Sequence, residues 1–528
     1  MTRSARHLFI LAFAFLFAAV GIVPAFGQDD QSLGDIAREL RDKKRPEVQI
    51  NKNDAKELFA ETDTILQFAS EDTGYARHIA VKRQLISRDQ LGKRFADAAE
   101  KSGDEESLRS ELVMKKLGLL PPQFDLKQYS VDKVASQVAG FYSHTEKTMY
   151  LVDWVPVEEQ RPVMAHELTH ALQDQNFNLT SFMRAAAVPG RTKRAELDAE
   201  ASTARRAIVE GQAMVVFVDY LLKQRGLSLS SSPEAMQLAQ NLLTNYESPV
   251  TVHNAPRVMK EALMFPYREG FAFELEVMRK TGKRNAFAGM FARPPEDTHE
   301  VLDPDAYLSH ARSPHVTLPS LRAILEGSFE PYDSGSMGAL DVRIMSTEFG
   351  KENDIYSVAE KWNGGAYVAV KRRSADKAAK ATTADVALLY VSRWKTEEAA
   401  TRFARIYANA LPKRVNVLGQ STMNWNCTGN PRCQTPLWST RVMTDEGPTF
   451  AEVWPGNIVI IGHSFDDETM SSLRGAVLAA NLGSQQQASL HEHELTMSLF
   501  ESQSFAGLVD QVREQLAKDL MKSLEPRH

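Results

Sequence analysis

Cysteine is almost absent from this sequence. Its 528 residues include two, Cys427 and Cys433, in the segment NCTGNPRC. A structural zinc site built on thiolates usually needs four cysteine or histidine ligands, so this pair alone does not predict one. Gly429, Asn430 and Pro431 between the cysteines favour a tight turn. In an exported chain, the pair predicts a disulfide that closes this small loop.

Positive charge is not in excess either. Lysine and arginine number 62 against 68 aspartates and glutamates, which gives a formal net charge of −6. The sequence contains no strong basic block. It therefore lends no support to nucleic-acid binding.

Long hydrophobic runs are missing except near the N-terminus. Residues 8–23 form an apolar run behind Arg3 and Arg6, and a polar stretch follows Gly27. This pattern predicts a secretory signal peptide at residues 1–27, cleaved near Gly27, and hence an exported protein, periplasmic or secreted. An uncleaved membrane anchor is the alternative, because the apolar run is long. No later run is long and apolar enough to span a bilayer.

The rest of the chain is predicted to be α+β. Hydrophobic periodicity indicates a helical N-terminal region at 28–130 and a mostly helical domain with a small β-hairpin at 131–330. Between 335 and 484, β-rich segments alternate with amphipathic helices, which predicts a C-terminal α+β domain. A polar linker then leads into a helical tail within 485–528.

A hairpin and two helices are predicted inside residues 131–330. The runs VAGFY and TMYLV flank the polar SHTEK and indicate the hairpin. One helix is expected over residues 161–176, with Pro162 in its first turn. A second helix is expected over about residues 195–223.

The first of these helices carries the motif His-Glu-x-x-His. At 100° per residue, His166 and His170 leave the same face, so two imidazole nitrogens can reach one zinc ion at about 2.0–2.1 Å. Glu167 lies beside them, where it can contact a water rather than the metal. The opposite side carries apolar residues: Met164, Leu168, Ala171 and Leu172. The spacing predicts a site for one Zn²⁺ ion, and a chance match on a solvated helix face is the simpler alternative.

Catalytic zinc usually has three protein ligands, and the third is not in the motif. The short HExxHxxGxxH pattern is broken, because position 173 is Gln and position 176 is Asn. The next helix offers carboxylates instead: Glu196, Asp198, Glu200, Glu210 and Asp219. Glu210 is preferred and Glu200 comes second, because Gly211 permits close approach of another element. Glu210 also lies where the helix becomes apolar and would need a partner. An ion pair between Glu210 and Arg206 is the alternative.

Other residues are candidates for supporting the chemistry. Glu167 is expected to act as general base, taking a proton from water and passing it to the leaving amine. Strand 149–152 is expected to pair with an extended substrate. Asp174 is considered as a carboxylate that orients a ligand imidazole, against a surface charge at the helix end. An oxyanion donor is sought among three residues, for which ordinary packing is the alternative: Tyr267, His299 and Tyr307.

Around these residues the chain resembles a known family, the exported bacterial and archaeal HExxH proteins of the gluzincin (zincin) type, described as zinc metallopeptidases. The similarity lies between about residues 105 and 310, in the blocks LGLLPPQFDL, QVAGFYSHTEKTMYLVDW, PVMAHELTHALQDQNF, AIVEGQA, FPYREG and ARPPEDTHEVLDPDAYL. The resemblance implies a zincin-like catalytic domain, with Glu167 as the base and zinc on three residues: His166, His170 and Glu210. Asp303 stands where relatives have a histidine, and Met214 where thermolysin has an acid.

The sequence therefore predicts an exported zinc metallopeptidase that hydrolyses a peptide or protein substrate. Two other classes stay open. One is a zinc-retaining, non-catalytic zincin-fold binding protein of the cell envelope, and the other is a scaffold whose motif is incidental. Because the helical region 28–130 precedes the catalytic block, it is also a candidate inhibitory prosegment.

Overall fold

The computed structural model places helices in the first part of the chain and a large sheet in the second. The predicted signal peptide, the Cys427–Cys433 loop and the helical tail lie outside the residues it describes. The described residues are 50–91, 93, 104–125, 140–184, 199–223, 226–231, 236–237, 239, 255–310, 316–351, 358–375, 381–423, 425 and 435–482.

Helices dominate the first part. In chain order they are α1 (Lys52–Ala60), α2 (Thr62–Thr73), α3 (Asp104–Leu117), α4 (Val157–Phe177), α5 (Leu179–Arg184), α6 (Ala199–Lys223), α7 (Arg257–Thr281), α8 (Met290–Ala292), α9 (Thr298–Leu302) and α10 (Pro304–Leu308). A π-helical turn, Asn285–Gly289, lies between α7 and α8. Side-chain caps begin several of these helices: Asn51 caps α1, and Asp297 and Asp303 cap α9 and α10.

Helix α4 begins one turn earlier than predicted, at Val157. The buried Gln160 donates a hydrogen bond to the carbonyl oxygen of Val152 at 2.7 Å, which ties this first turn to the preceding strand. Pro162 consequently lies in the second turn, where its missing N–H removes one helix hydrogen bond. The predicted helix itself is confirmed.

Helices α6 and α7 approach each other unusually closely, and α6 and α2 both pack on α4. A Cβ atom on Gly211 would lie 2.3 Å from the carbonyl oxygen of Gly270. A Cβ atom on Gly270 would lie 2.2 Å from the carbonyl oxygen of Ala207. This contact therefore requires glycine on both helices.

A three-stranded sheet lies beside α4. Its strands are β1 (Lys82–Ile86), β2 (Gly140–Ser143) and β3 (Thr148–Val152), in the order β1–β3–β2, with β1 parallel and β2 antiparallel to β3. The predicted hairpin is confirmed. Because β3 is central and paired on both edges, the expected addition of a substrate to strand 149–152 is wrong. The charged β1, KRQLI, was not recognised as a strand in a region predicted to be helical.

A seven-stranded antiparallel sheet forms the second part, in the order β4–β5–β6–β10–β9–β8–β7. Its strands are β4 (Phe329–Gly335), β5 (Trp362–Arg372), β6 (Val386–Trp394), β7 (Val417–Ser421), β8 (Trp438–Thr444), β9 (Gly447–Trp454) and β10 (Ile458–His463). The accompanying helices are α11 (Arg322–Leu325), α12 (Ala339–Phe349), α13 (Glu397–Ala410) and α14 (Asp467–Leu482).

The two faces of this sheet enter different hydrophobic cores. On β6, Leu388 and Tyr390 face the core that also contains α12, α13 and the helical part. The alternate residues Leu389 and Val391 face a smaller core with α11 and α14. The fold is α+β, as predicted. Among the described helices, none has the length and apolar character needed to cross a membrane.

Candidate metal centre

Helix α4 brings the three motif residues together. The Nε2 atoms of His166 and His170 lie 3.1 Å apart, and the two rings are nearly perpendicular at 89°. His166 is 2 % exposed and Glu167 6 %. The helix is therefore buried at His166 and Glu167 as well as on its apolar side.

Glu210 on α6 completes the cluster. Its Oε2 atom lies 3.3 Å from Nε2 of His166 and 3.4 Å from Nε2 of His170. One potential ligand atom from each residue lies within 4.8 Å of the other two, so the group could hold a metal ion. The side chains of His170 and Glu210 are 11 % and 13 % exposed, so the cluster reaches solvent at this end.

The close contact between α6 and α7 explains the position of Glu210. Gly211 follows it directly and touches Gly270, so the backbone at Glu210 is fixed against α7. Tyr267, one turn before Gly270 on α7, places its ring 6.2 Å from that of His166, with 24° between their planes. Tyr267 is thus the proposed oxyanion donor that the fold brings to the cluster.

The electrostatics couple the carboxylate to the imidazoles. Burial alone would raise the pKa of Glu210, but the charges and hydrogen bonds of His170 and His166 hold it well below its usual value. Burial would lower the pKa of His170, yet the charge and hydrogen bond of Glu210 raise it to about 9. Atoms that attract a proton this strongly can attract a metal cation in its place.

Glu167 differs from Glu210 in its electrostatics. Burial raises its pKa, opposed by the charges of the two motif histidines and by a hydrogen bond from the backbone of Tyr142 in β2. A carboxyl with a raised pKa is suited to accept a proton and return it. The contact with Tyr142 also places Glu167 beside β2, an outer strand of the described sheet.

Two imidazole nitrogens and one carboxylate oxygen form a donor set that zinc accepts at catalytic sites. The two histidines differ in how their other nitrogen is held. His170 Nδ1 contacts Gln173 Oε1 at 2.9 Å. His166 Nδ1 is buried and has no hydrogen-bond partner in the described part of the chain.

Asp174 does not orient a ligand imidazole. Its Oδ2 atom accepts hydrogen bonds from the hydroxyl of Tyr142 at 3.0 Å and from Lys147 at 2.5 Å, and its Oδ1 atom accepts from the backbone N–H of Leu179. It therefore ties the hairpin to the end of α4. The buried Gln173, one residue earlier, takes the place that the sequence suggested for Asp174.

The other two proposed oxyanion donors have partners away from the cluster. Tyr307 donates its hydroxyl proton to the carbonyl oxygen of Arg293 at 2.7 Å. His299 contacts Lys395 through Nε2 at 2.9 Å, towards the seven-stranded sheet. Asp303, which lies between α9 and α10, caps α10. The contact of His299 with Lys395 therefore links α9 to the end of β6.

The remaining candidate carboxylates also lie elsewhere. Glu200 accepts hydrogen bonds from the backbone N–H and the hydroxyl of Thr298 at the start of α9. Asp219 accepts a hydrogen bond from the backbone N–H of Leu229. Glu196 and Asp198 lie outside the described residues.

Comparisons with known proteins yield no match: no family model, no curated protein and no solved structure corresponds to this chain. A function for the chain therefore rests on the chemistry of its own residues. The sequence interpretation missed Gln173 and the groups behind it. The sequence offers one sign of this role: Gln173 follows His170 by three residues, which places its amide on the histidine side of the HExxH helix.

Proposed function

We propose that this protein is an exported zinc metallopeptidase, with Zn²⁺ held by His166, His170 and Glu210. The convergence of three ligand atoms from two helices carries the proposal. A second acid, Glu167, lies at the same place without belonging to the ligand group. An HExxH helix with a carboxylate on the next helix is the arrangement used for zinc-dependent hydrolysis.

Each residue has a separate task in the proposed reaction. Zinc, when bound, supplies Lewis acidity that activates water and polarises the scissile carbonyl. Glu167 accepts the proton of the attacking water and delivers it to the leaving amine. Tyr267 is the candidate for donating a hydrogen bond to the developing oxyanion. The raised pKa of Glu167, caused mainly by burial, helps it to hold that proton between the two steps.

The substrate would lie along β2 rather than β3. Both edges of β3 are paired, whereas β2 is an outer strand of the described sheet. The backbone of Tyr142 in β2 donates a hydrogen bond to Glu167, so this strand lies next to the general base. An extended peptide beside β2 would therefore have its backbone close to the reacting groups.

The test compares the wild-type chain with Glu167→Gln. The variant should keep its zinc, because Glu167 is not a ligand, and lose peptide hydrolysis by about 10²–10⁴-fold, the usual contribution of a general base. A peptide-library digest gives the activity and elemental analysis gives the zinc. Glu276→Gln, which removes a carboxylate paired with Arg279 on α7, is the matched control and should cleave like wild type. Undiminished cleavage by Glu167→Gln would refute the proposal.

A second function is a zinc-retaining, non-catalytic binding protein of the cell envelope. The near-complete burial of His166 and Glu167 favours it, because a closed site limits access of a peptide to the base. Under this alternative, wild type carries stoichiometric zinc and cleaves no member of the library. Cleavage that depends on Glu167 excludes it.

A further inference from the structure

A chain of buried side chains leads away from the metal-facing histidines. It begins at Gln173 and continues to Gln212 on α6, and both residues are fully buried. It ends at Tyr75, which follows α2 and is 3 % exposed. Each link is a side-chain hydrogen bond, and the last spans 137 positions of sequence.

The partners of Gln173 determine which way its amide points. Its Nε2 atom lies 3.0 Å from the carbonyl oxygen of Val209 and 3.1 Å from Oε1 of Gln212. A carbonyl oxygen only accepts hydrogen bonds, so the NH₂ group must face Val209. The remaining atom, Oε1, then faces His170 Nδ1 and must accept a hydrogen bond from an N–H group at Nδ1.

Gln212 is oriented by the same logic. Its Nε2 atom donates to the carbonyl oxygens of Ala286 and Phe287, at 3.1 and 3.0 Å, in the π-helical turn. Its Oε1 atom is therefore free to accept from Gln173 and from the Tyr75 hydroxyl, the latter at 2.8 Å. Neither amide can flip without placing an NH₂ group against a donor or an oxygen against a carbonyl.

Tyr75 is a permanent donor at the far end. Its ring packs against Phe177, Phe287 and Phe291. Burial is the main cause that raises the pKa of its hydroxyl well above the usual value, so the hydroxyl keeps its proton. Burial also raises the pKa of Glu274, beside Gln212, well above its usual value, opposed by a hydrogen bond from Gln212 and the charge of Lys283. The chain of hydrogen bonds therefore has one fixed direction.

We propose that Tyr75, Gln212 and Gln173 form a positioning chain that holds the proton of His170 on Nδ1 and so directs the Nε2 lone pair at the metal. The inference rests on the proposed metal site and deepens it. None of the three residues would touch metal or substrate. Because Tyr75 follows α2, the positioning chain would connect the N-terminal segment 50–91 to the metal site through its hydrogen bond with Gln212.

The positioning chain fixes the tautomer of one of the two motif histidines before a metal binds. In the described part, His170 Nδ1 has an oriented acceptor, whereas His166 Nδ1 has none. An outer group that fixes the tautomer of a ligand histidine typically contributes 10–100-fold to metal affinity. Loss of the Gln173 acceptor should therefore weaken metal binding through His170.

The experiment measures the zinc affinity of the full mature chain by competition with a chromophoric chelator. Gln173→Met should bind zinc about 10–100-fold more weakly than wild type. Gln173→Glu keeps an acceptor oxygen for Nδ1–H and, as the protonated acid, a donor towards Val209, so it should recover part of that loss. Tyr75→Phe removes the hydroxyl at the far end of the positioning chain and should weaken zinc binding a few-fold.

The matched control is Gln160→Met on the same helix. Gln160 is also fully buried and donates to a backbone carbonyl, that of Val152, but has no link to His170. It should lower the melting temperature as Gln173→Met does and leave zinc affinity unchanged. The Co²⁺-substituted proteins give a second readout: the visible spectrum should change in Gln173→Met and not in Gln160→Met.

The outcomes separate the two proposals. Wild-type zinc affinity in Gln173→Met, or an equal loss in Gln160→Met, overturns the positioning chain and leaves the metallopeptidase proposal standing. A wild-type chain that binds no zinc overturns both. A selective loss in Gln173→Met with recovery in Gln173→Glu supports the chain, whether or not a peptide is cleaved.

Discussion

Two of the described sites that hold buried histidines, one in the helical part and one in the large sheet, have opposite surroundings. His170 lies against the carboxylate of Glu210, which raises its pKa to about 9. His463 on β10 lies between the hydroxyl groups of Tyr407 and Thr449, at 2.7 and 3.0 Å. Burial, helped by nearby Arg414 and Lys116, lowers the pKa of His463 well below its usual value.

The difference shows what separates a potential ligand from a structural histidine. Both ring nitrogens of His463 are used by neutral hydroxyls, and the nearby charges are positive, so a cation would be repelled. At His170 one nitrogen is held by Gln173, and the other points to a carboxylate and a second imidazole. Burial is common to both, so the sign of the neighbouring charge distinguishes a site that could hold a cation from one that would repel it.

The largest expected effect, on zinc affinity, comes from replacing His170 and His463 in separate variants. His170→Gln should weaken zinc binding roughly 10³-fold, as expected when one of a few ligands is lost. His463→Gln should destabilise the fold by about 1–3 kcal/mol through unsatisfied hydroxyls, with zinc affinity unchanged. Chelator competition and thermal unfolding measure the two quantities. Equal zinc affinities for the two variants would remove the distinction between the sites.

A smaller effect is expected from the helix contact that places Glu210. In Gly211→Ala the new methyl group would lie 2.3 Å from the Gly270 carbonyl oxygen, so α6 and α7 must move apart. We expect a loss of about 1–3 kcal/mol in unfolding free energy, together with weaker zinc binding. The matched control is Gly475→Ala on α14, where a Cβ atom meets nothing within 4 Å. It should be neutral or stabilising by up to about 1 kcal/mol. Identical behaviour of the two variants would show that the contact does not position Glu210.

Buried carboxylates also differ between the large sheet and the helical part. In the sheet, Glu452 is bound by Arg474 through two hydrogen bonds. In the helical part, Asp219 lies beside Asp72, and burial is the main cause that raises its pKa to about 7. Because the folded-state pKa exceeds the unfolded value of about 3.9, its contribution to stability is complete below pH 4 and is lost as pH rises to 7.

Asp219→Asn should remove that pH dependence. The amide mimics the protonated acid. The free energy of unfolding of the variant should therefore rise relative to that of wild type between pH 4 and pH 7, by at most about 4 kcal/mol. Denaturant unfolding at a series of pH values measures the difference. A wild-type-minus-variant difference that stays constant with pH would contradict the assigned titration.

Local spacing made much of this architecture predictable. The face shared by His166, Glu167 and His170 follows from helical periodicity alone, as does the hairpin from two short apolar runs around a polar turn. Glu210 could be predicted as a ligand from the sequence because Gly211 indicates a close helix contact. In the structure, α7 makes that contact. These features depend on a few neighbouring residues.

Long-range pairings were not predictable from such signals. The parallel pairing of β1 with β3 closes the edge expected for substrate, and KRQLI shows little of the alternation that marks a strand. Tyr75 meets Gln212 only because α2, α4 and α6 pack together. The position of Asp174 on the helix suggested that it orients a ligand imidazole, but its carboxylate accepts hydrogen bonds from the hairpin residues Tyr142 and Lys147.

The most direct test of the central claim is the zinc content per chain of the purified wild-type protein and of Glu210→Gln, measured by native mass spectrometry. We predict one zinc ion per wild-type chain and loss of that ion in Glu210→Gln, because the carboxylate oxygen lies within 3.4 Å of both histidine nitrogens. A wild-type chain without zinc, or a variant that retains it at equal affinity, would contradict the assignment of His166, His170 and Glu210 as a metal centre.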